Sequence, residues 1–149
     1  MRSELILTKY GERKRFEIYY KILIKACDWE AAGYMMGYVL ECGLKAIICK
    51  RLQLNVYPDN HKKGEISKFF RTHKFDPLLI VSGLSKMFST TGEIQAFQHW
   101  SDFTNEYAGD WPTMRYDANI IWDEAKVKRL YLNLTSKPYG VLTIIKKKW

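Results

Sequence analysis

The sequence predicts an all-α fold, an up-and-down bundle of about five helices, on three observations. Apolar residues recur at spacings of three and four along most of the chain. One such run, residues 27 to 52, is long enough to form a spine. Strand-like alternation is confined to a weak stretch at Leu5 to Leu7, and no internal repeat interrupts the pattern.

The elements follow in order. Phe16, Tyr19, Tyr20, Leu23, Ile24 and Cys27 place residues 12 to 26 on an amphipathic first helix with a basic outer face. Asp28 is a natural N-cap for the second helix, which reaches Leu52 and spans roughly 37 Å at 1.5 Å per residue. The stretch QLNVYPDNHKKGEI, residues 53 to 66, is dense in turn formers and reads as a loop. Thr72 to Leu84 forms a short third helix, with Pro77 near its first turn, where proline is tolerated. Residues 93 to 107 put Ile94, Phe97, Trp100, Phe103 and Tyr107 on one stripe of a fourth helix. A polar connection, AGDWPTMRYDAN, leads to a fifth helix over 118 to 135 that carries Ile121, Ala125, Leu130 and Leu134 inward. A last helix follows Pro138.

Within the second helix, Glu41 and Lys45 stand one turn apart among Met35, Met36, Val39, Leu40, Leu44, Ile47 and Ile48. Residues four apart share a helix face, so the two charges can pair, with the acid on the favourable N-terminal side. A charge in apolar surroundings must be paired or used. Gly33 and Gly37 lie beside Ala31 and Ala32 and define a stripe that admits another backbone. Each interior glycine costs about 1 kcal/mol against alanine, so close contact there has to compensate. A membrane span is the competing explanation for small residues at this spacing. It is disfavoured because Glu41 and Lys45 fall in the middle of residues 33 to 49, whereas a span needs about 20 predominantly apolar residues.

With 149 residues, 47% hydrophobic and 15% aromatic, the chain suits one domain covering residues 1 to 149. Cys27, Cys42 and Cys49 are an odd number at spacings that fit neither a disulfide framework nor a zinc site, so they read as reduced core thiols. Together with an amino terminus that lacks a signal-peptide pattern, they point to a cytoplasmic protein. The net charge of +8 favours polyanionic partners. The basic residues are dispersed, however: Lys9, Arg13, Lys14 and Arg15, then Lys50, Arg51, Lys62 and Lys63, then a solvated tail at Lys146 to Lys148. No His-Glu-x-x-His, Cys-x-x-Cys or glycine-rich phosphate loop occurs, so neither a metal nor a cofactor is expected.

GYMMGYVLECGLKAIIC followed by THKFDPLLIVSGL resembles the HEPN domain family of small helical proteins. WPTMRY at 111 to 116 resembles that family's tryptophan and Arg-Tyr segment, and GVLTIIKKKW its ending, so the likeness covers most of residues 14 to 149. The resemblance implies a dimeric bundle with a cleft for nucleotide or RNA. It also implies a partnership with small nucleotidyltransferases in toxin-antitoxin or defence systems. Many members are metal-independent ribonucleases that use an arginine, four to six intervening residues, then a histidine. This chain departs from that pattern, because positions 54 to 56, 66 to 68 and 92 to 94, ahead of His61, His73 and His99, contain no arginine.

If there is a site, Glu41, Lys45, His73 and Arg115 are the residues expected to converge. In a ribonuclease reading, His73 and Arg115 are the catalytic candidates: His73 as general base on a ribose hydroxyl, and Arg115 or Lys45 to stabilise the phosphorane. Ligand contacts are then expected at Tyr38, Glu41, Lys45, Arg71, His73, Arg115 and Tyr116. Tyr34 and Tyr38 lie on one side of the helix and can stack a base, although core or dimer packing is the commoner role of such tyrosines. The favoured alternative makes Glu41, Lys45 and Arg115 a buried ion cluster fixing helix register, with His73 bonding a backbone group. Trp111 and Trp149 read as packing anchors. The function expected is a non-catalytic, dimeric binding module for a nucleotide, RNA or a nucleotidyltransferase, and the rival is a ribonuclease with a divergent site.

Overall fold

The computed structural model describes residues 17–54, 57–58, 70–107 and 111–148. Every regular element among them is helical. The weak strand signal at Leu5 to Leu7, most of the expected loop over 53 to 66, and Trp149 lie outside the described residues.

Residues 17–25 are helical (α1), followed by α2 at Trp29–Arg51 and α3 at Phe75–Val81. A 3-10 turn at Ser85–Phe88 precedes α4, Ile94–Asn105, and a second one at Trp111–Tyr116 precedes α5, Glu124–Thr135. The last helix, α6, is Val141–Lys146.

The second helix is the spine. Asp28 accepts the backbone N–H of Ala31 at 3.1 Å, Glu30 occupies the first turn, and Lys50 and Arg51 occupy the last, so cap and charges all suit the helix dipole. It packs against α3, α5, α6 and the Trp111–Tyr116 turn, and its residues from Val39 to Cys49 are buried without a break. A helix enclosed on all sides needs no polar face, which accounts for its nearly uniform apolar sequence. Met36, Leu40, Leu44, Ile47 and Ile48 are at most 1% exposed. Each contributes about 1.5–3 kcal/mol on burial, which outweighs the cost of the interior glycines. Of the described helices, α2 is the one long and apolar enough to cross a membrane, yet 89% of its most apolar window is buried inside the protein.

Several boundaries differ from the sequence reading. Thr72 does not cap the third helix. Its hydroxyl accepts from the N–H of Lys74 at 3.1 Å, and the helix begins at Phe75. The fifth helix starts at Glu124, capped by Asp123, so Ile121 lies before it and is 74% exposed, and Ala125 also faces out. Val127, Leu130 and Leu134 form its inner face instead. On α4, Trp100 and Phe103 are buried as expected but Ile94 at the first position is not. Of the thiols, Cys42 and Cys49 are buried and Cys27 is exposed. Lys146 to Lys148 are exposed, as expected, but Lys146 also pairs with Glu17, tying α6 to α1, while Lys50 reaches the carbonyl of Lys148 at 3.4 Å.

Three helices end in the same way, with a left-handed residue after the last turn: Cys27 at φ 57°, Gln53 at φ 52° and Gly83 at φ 68°. After α2, the N–H of Leu54 bonds the carbonyl of Cys49 at 2.8 Å and that of Gln53 bonds Lys50 at 3.3 Å, the paired bonds of a Schellman motif. Glycine alone takes this conformation without a Cβ penalty, which is about 1–2 kcal/mol for other residues. Gln53→Gly is therefore expected to stabilise the protein by about 1 kcal/mol, as an increase in urea midpoint at unchanged slope.

Candidate functional site

Tyr34, Tyr38, Glu41 and Lys45 follow one another at four, three and four residues along α2 and so occupy a single stripe of that helix. The Trp111–Tyr116 turn and the segment leading into α3 face this stripe, held there by one bond that spans the two: the Trp111 indole N–H donates to the carbonyl of His73 at 2.8 Å.

At the buried end, Glu41 Oε1 accepts from Lys45 Nζ at 2.8 Å and lies 2.9 Å from His73 Nδ1. Lys45 is sealed on its other side by Tyr57, its Nζ 4.7 Å from the ring centre. The Glu41 and Lys45 side chains are 6% and 5% exposed, whereas that of His73 is 46% exposed, so the imidazole is the cluster's outlet to the surface. Both polar contacts fall on one carboxylate oxygen. Oε2 is buried and makes no hydrogen bond among the described residues.

At the exposed end, the Arg115 guanidinium lies 4.5 Å from the Tyr116 ring centre and 5.8 Å from that of Tyr34. Tyr34 and Tyr38 meet edge to face with their hydroxyls 2.9 Å apart, and Tyr34 also donates to the carbonyl of Pro112 at 3.1 Å. Tyr38 packs on Trp111 at 4.8 Å, and Trp111 stacks on Phe75 at 5.7 Å. Desolvation pulls the Arg115 pKa down while the phenols of Tyr34 and Tyr116 push it up; the net is upward, and the group stays cationic.

Three of the four residues expected to converge do so: Glu41, Lys45 and His73. Arg115 is placed with the tyrosines rather than in the ion cluster, and it is His73 that completes the cluster, through its side chain. The expected bond from His73 to a backbone group is replaced by the ring's contact with the Glu41 side chain, while the backbone carbonyl of His73 accepts from the Trp111 indole. Tyr116 is a ring partner of Arg115, Tyr38 packs one step away between Tyr34 and Trp111, and Arg71 is exposed two residues before His73. The third histidine, His99, bonds the Asn133 side chain at 3.0 Å and takes no part in this face.

The glycine stripe works differently from the expected backbone approach. Trp122 lies flat against Gly33, and a Cβ on Gly37 would sit 2.7 Å from the Trp111 ring. Two indoles fill the space, and Tyr107 locks them in by donating to the carbonyl of Gly33 at 2.6 Å. Small residues four apart signal that something comes close, but not what. Tyr57 left no sequence signal at all, being embedded among turn formers.

Burial raises the Tyr107 pKa well above that of a free phenol, and burial plus the Tyr38 hydroxyl does the same for Tyr34. Their protonated forms are favoured in the native state, so the stabilisation is complete below the unfolded value of about 10 and is lost as pH climbs through the native values. Tyrosinate absorbance is expected to appear in two stages on alkaline titration, exposed phenols first, with Tyr34 and Tyr107 ionising as the protein unfolds. Tyr107→Phe removes part of the late stage.

Two recesses lie alongside. One of about 280 Å³ starts at Lys74, next to His73, and runs over Phe75 and Asp76 to Asn105. The other, about 520 Å³ and lined by Asn105, Thr113, Asp117, Asn119 and Lys126, continues from the same asparagine. Glu41, Lys45 and Arg115 line neither of these two recesses. No three metal-ligating side chains come together among the described residues. Compared with known proteins, the sequence matches no family model, no curated protein and no solved structure.

Proposed function

We propose that the chain is a non-catalytic binding module that holds a nucleotide or a single strand of RNA on the face formed by Tyr34, Tyr38, His73, Arg115 and Tyr116. The observation that carries this is the exposed Arg115 guanidinium braced against two tyrosine rings. A planar cation among aromatic rings meets both halves of a nucleotide, the phosphate by charge-assisted hydrogen bonds and the base by stacking. The net charge of +8 favours the same class of ligand. That the module is HEPN-like, dimeric and paired with a nucleotidyltransferase in a toxin-antitoxin or defence system rests on sequence resemblance alone.

Short single-stranded RNA titrated into the protein, followed by Trp and Tyr emission, is expected to saturate with an affinity that falls as salt rises. Arg115→Ala is expected to weaken that binding on the order of tenfold or more while leaving the thermal midpoint of the free protein in place. Wild-type protein that binds neither RNA nor mononucleotides would overturn the reading.

The contact between Glu41 and His73 favours a second reading, a metal-independent ribonuclease. A buried carboxylate on one imidazole nitrogen leaves the other to take a proton from a ribose 2′-hydroxyl, whose oxygen attacks the adjacent phosphorus and expels the 5′-oxygen, which takes a proton from water, and Arg115 would stabilise the charge on the phosphoryl oxygens. Labelled RNA incubated with the protein and a chelator decides between them. Cleavage that disappears in His73→Ala establishes the enzyme, and intact RNA leaves the binding module.

A further inference from the structure

We infer that the buried Glu41–Lys45 pair is a positioning device that fixes His73 as its Nδ1–H tautomer, so that Nε2 faces outward as a hydrogen-bond acceptor selecting ligands with a 2′-hydroxyl. The inference rests on the proposed RNA-binding face and adds to it the group that tells ribose from deoxyribose.

The chemistry runs outward from the helix. Glu41 forms an ion pair with Lys45 at 2.8 Å, and a carboxylate only accepts. The 2.9 Å contact to His73 therefore requires the imidazole to donate from Nδ1. A neutral ring that donates from Nδ1 has its lone pair on Nε2, across the ring from the nitrogen that meets Glu41, and the side chain as a whole is 46% exposed. The Trp111 N–H on the His73 carbonyl fixes the backbone from which the ring projects. Stability alone does not explain the arrangement. Apolar residues of similar volume would often serve a buried ion pair's place equally well or better, and here one carboxylate oxygen, Glu41 Oε2, is buried without a hydrogen bond among the described residues. Stacking both contacts on Oε1 sacrifices the second oxygen and aims the pair at the imidazole.

An outward acceptor discriminates by what it finds opposite. A ribose 2′-hydroxyl donates to it, whereas deoxyribose and 2′-fluororibose present no donor there.

Two measurements on the full chain test this. Long-range nitrogen–proton NMR on the neutral imidazole is expected to show His73 protonated at Nδ1 in wild type. In a Glu41→Leu/Lys45→Met variant, which keeps the core apolar and folded, it should show a mixture of tautomers. A wild-type ring protonated at Nε2 would overturn the inference, and this readout requires no ligand. Competition among RNA, DNA and 2′-fluoro strands of one sequence is expected to favour RNA on the order of tenfold over both. His73→Ala and the double variant should bind all three strands like DNA. Equal affinities in wild type would overturn the inference and leave the binding face standing; binding of no strand would remove the binding face and the selectivity with it.

Discussion

Replacing Glu41 with alanine is expected to cost about 3–5 kcal/mol of stability, because it strands the Lys45 ammonium in an apolar interior. Lys45 is 4% exposed and has a carboxylate on one side and a tyrosine ring on the other, so it has no route to water that leaves α2 intact. Most of the loss should return when Lys45→Met is added, since two apolar side chains of similar volume replace the pair without a bare charge. Urea unfolding of the two single variants and the double variant measures this directly, and the double-mutant cycle gives the coupling. Additive single effects would mean that the two charges do not act as a unit.

Trp111→Ala should be comparably damaging, about 3–5 kcal/mol, through the cavity left by a fully buried indole. It should also loosen the site, because the same side chain fixes the carbonyl of His73 and supplies the wall against which Tyr38 packs. Trp111→Phe separates the two effects: it keeps an aromatic ring beside Phe75 and Tyr107 but removes the N–H, leaving the part-buried carbonyl of His73 without its donor at a cost of about 0.5–1.5 kcal/mol. Hydrogen exchange across residues 72 to 75 is expected to quicken in both variants. If exchange there is unchanged in Trp111→Phe, the bond to His73 does not hold this segment.

What could be read in the chain and what could not divides along sequence distance. The span of α2, its Asp28 cap and the Glu41–Lys45 pair were legible because each depends on residues three or four apart, where helix geometry leaves a periodic trace. His73 is 32 residues from Glu41, and Trp111 is 38 from His73; contacts of that kind leave no period to detect. Ile121 was expected inside because its spacing continues that of Leu130 and Leu134. Asp123 caps the helix at Glu124 and cuts the series short, so local capping overrode periodicity. Arg115 was grouped with the ion cluster through resemblance, whereas the short 3-10 turn that carries it directs it towards Tyr34 and Tyr116.

Because α2 is packed around its whole circumference from Val39 to Cys49, it has no slack in angle there. Inserting one residue ahead of Glu41 would rotate everything after it by about 100°. The acid would swing away from His73, and the indoles would lose their glycine seats or their tyrosine neighbours, whichever end gave way. Length changes should be tolerated in the connections on either side and rejected throughout this helix, and a library of single-codon insertions would draw that border residue by residue.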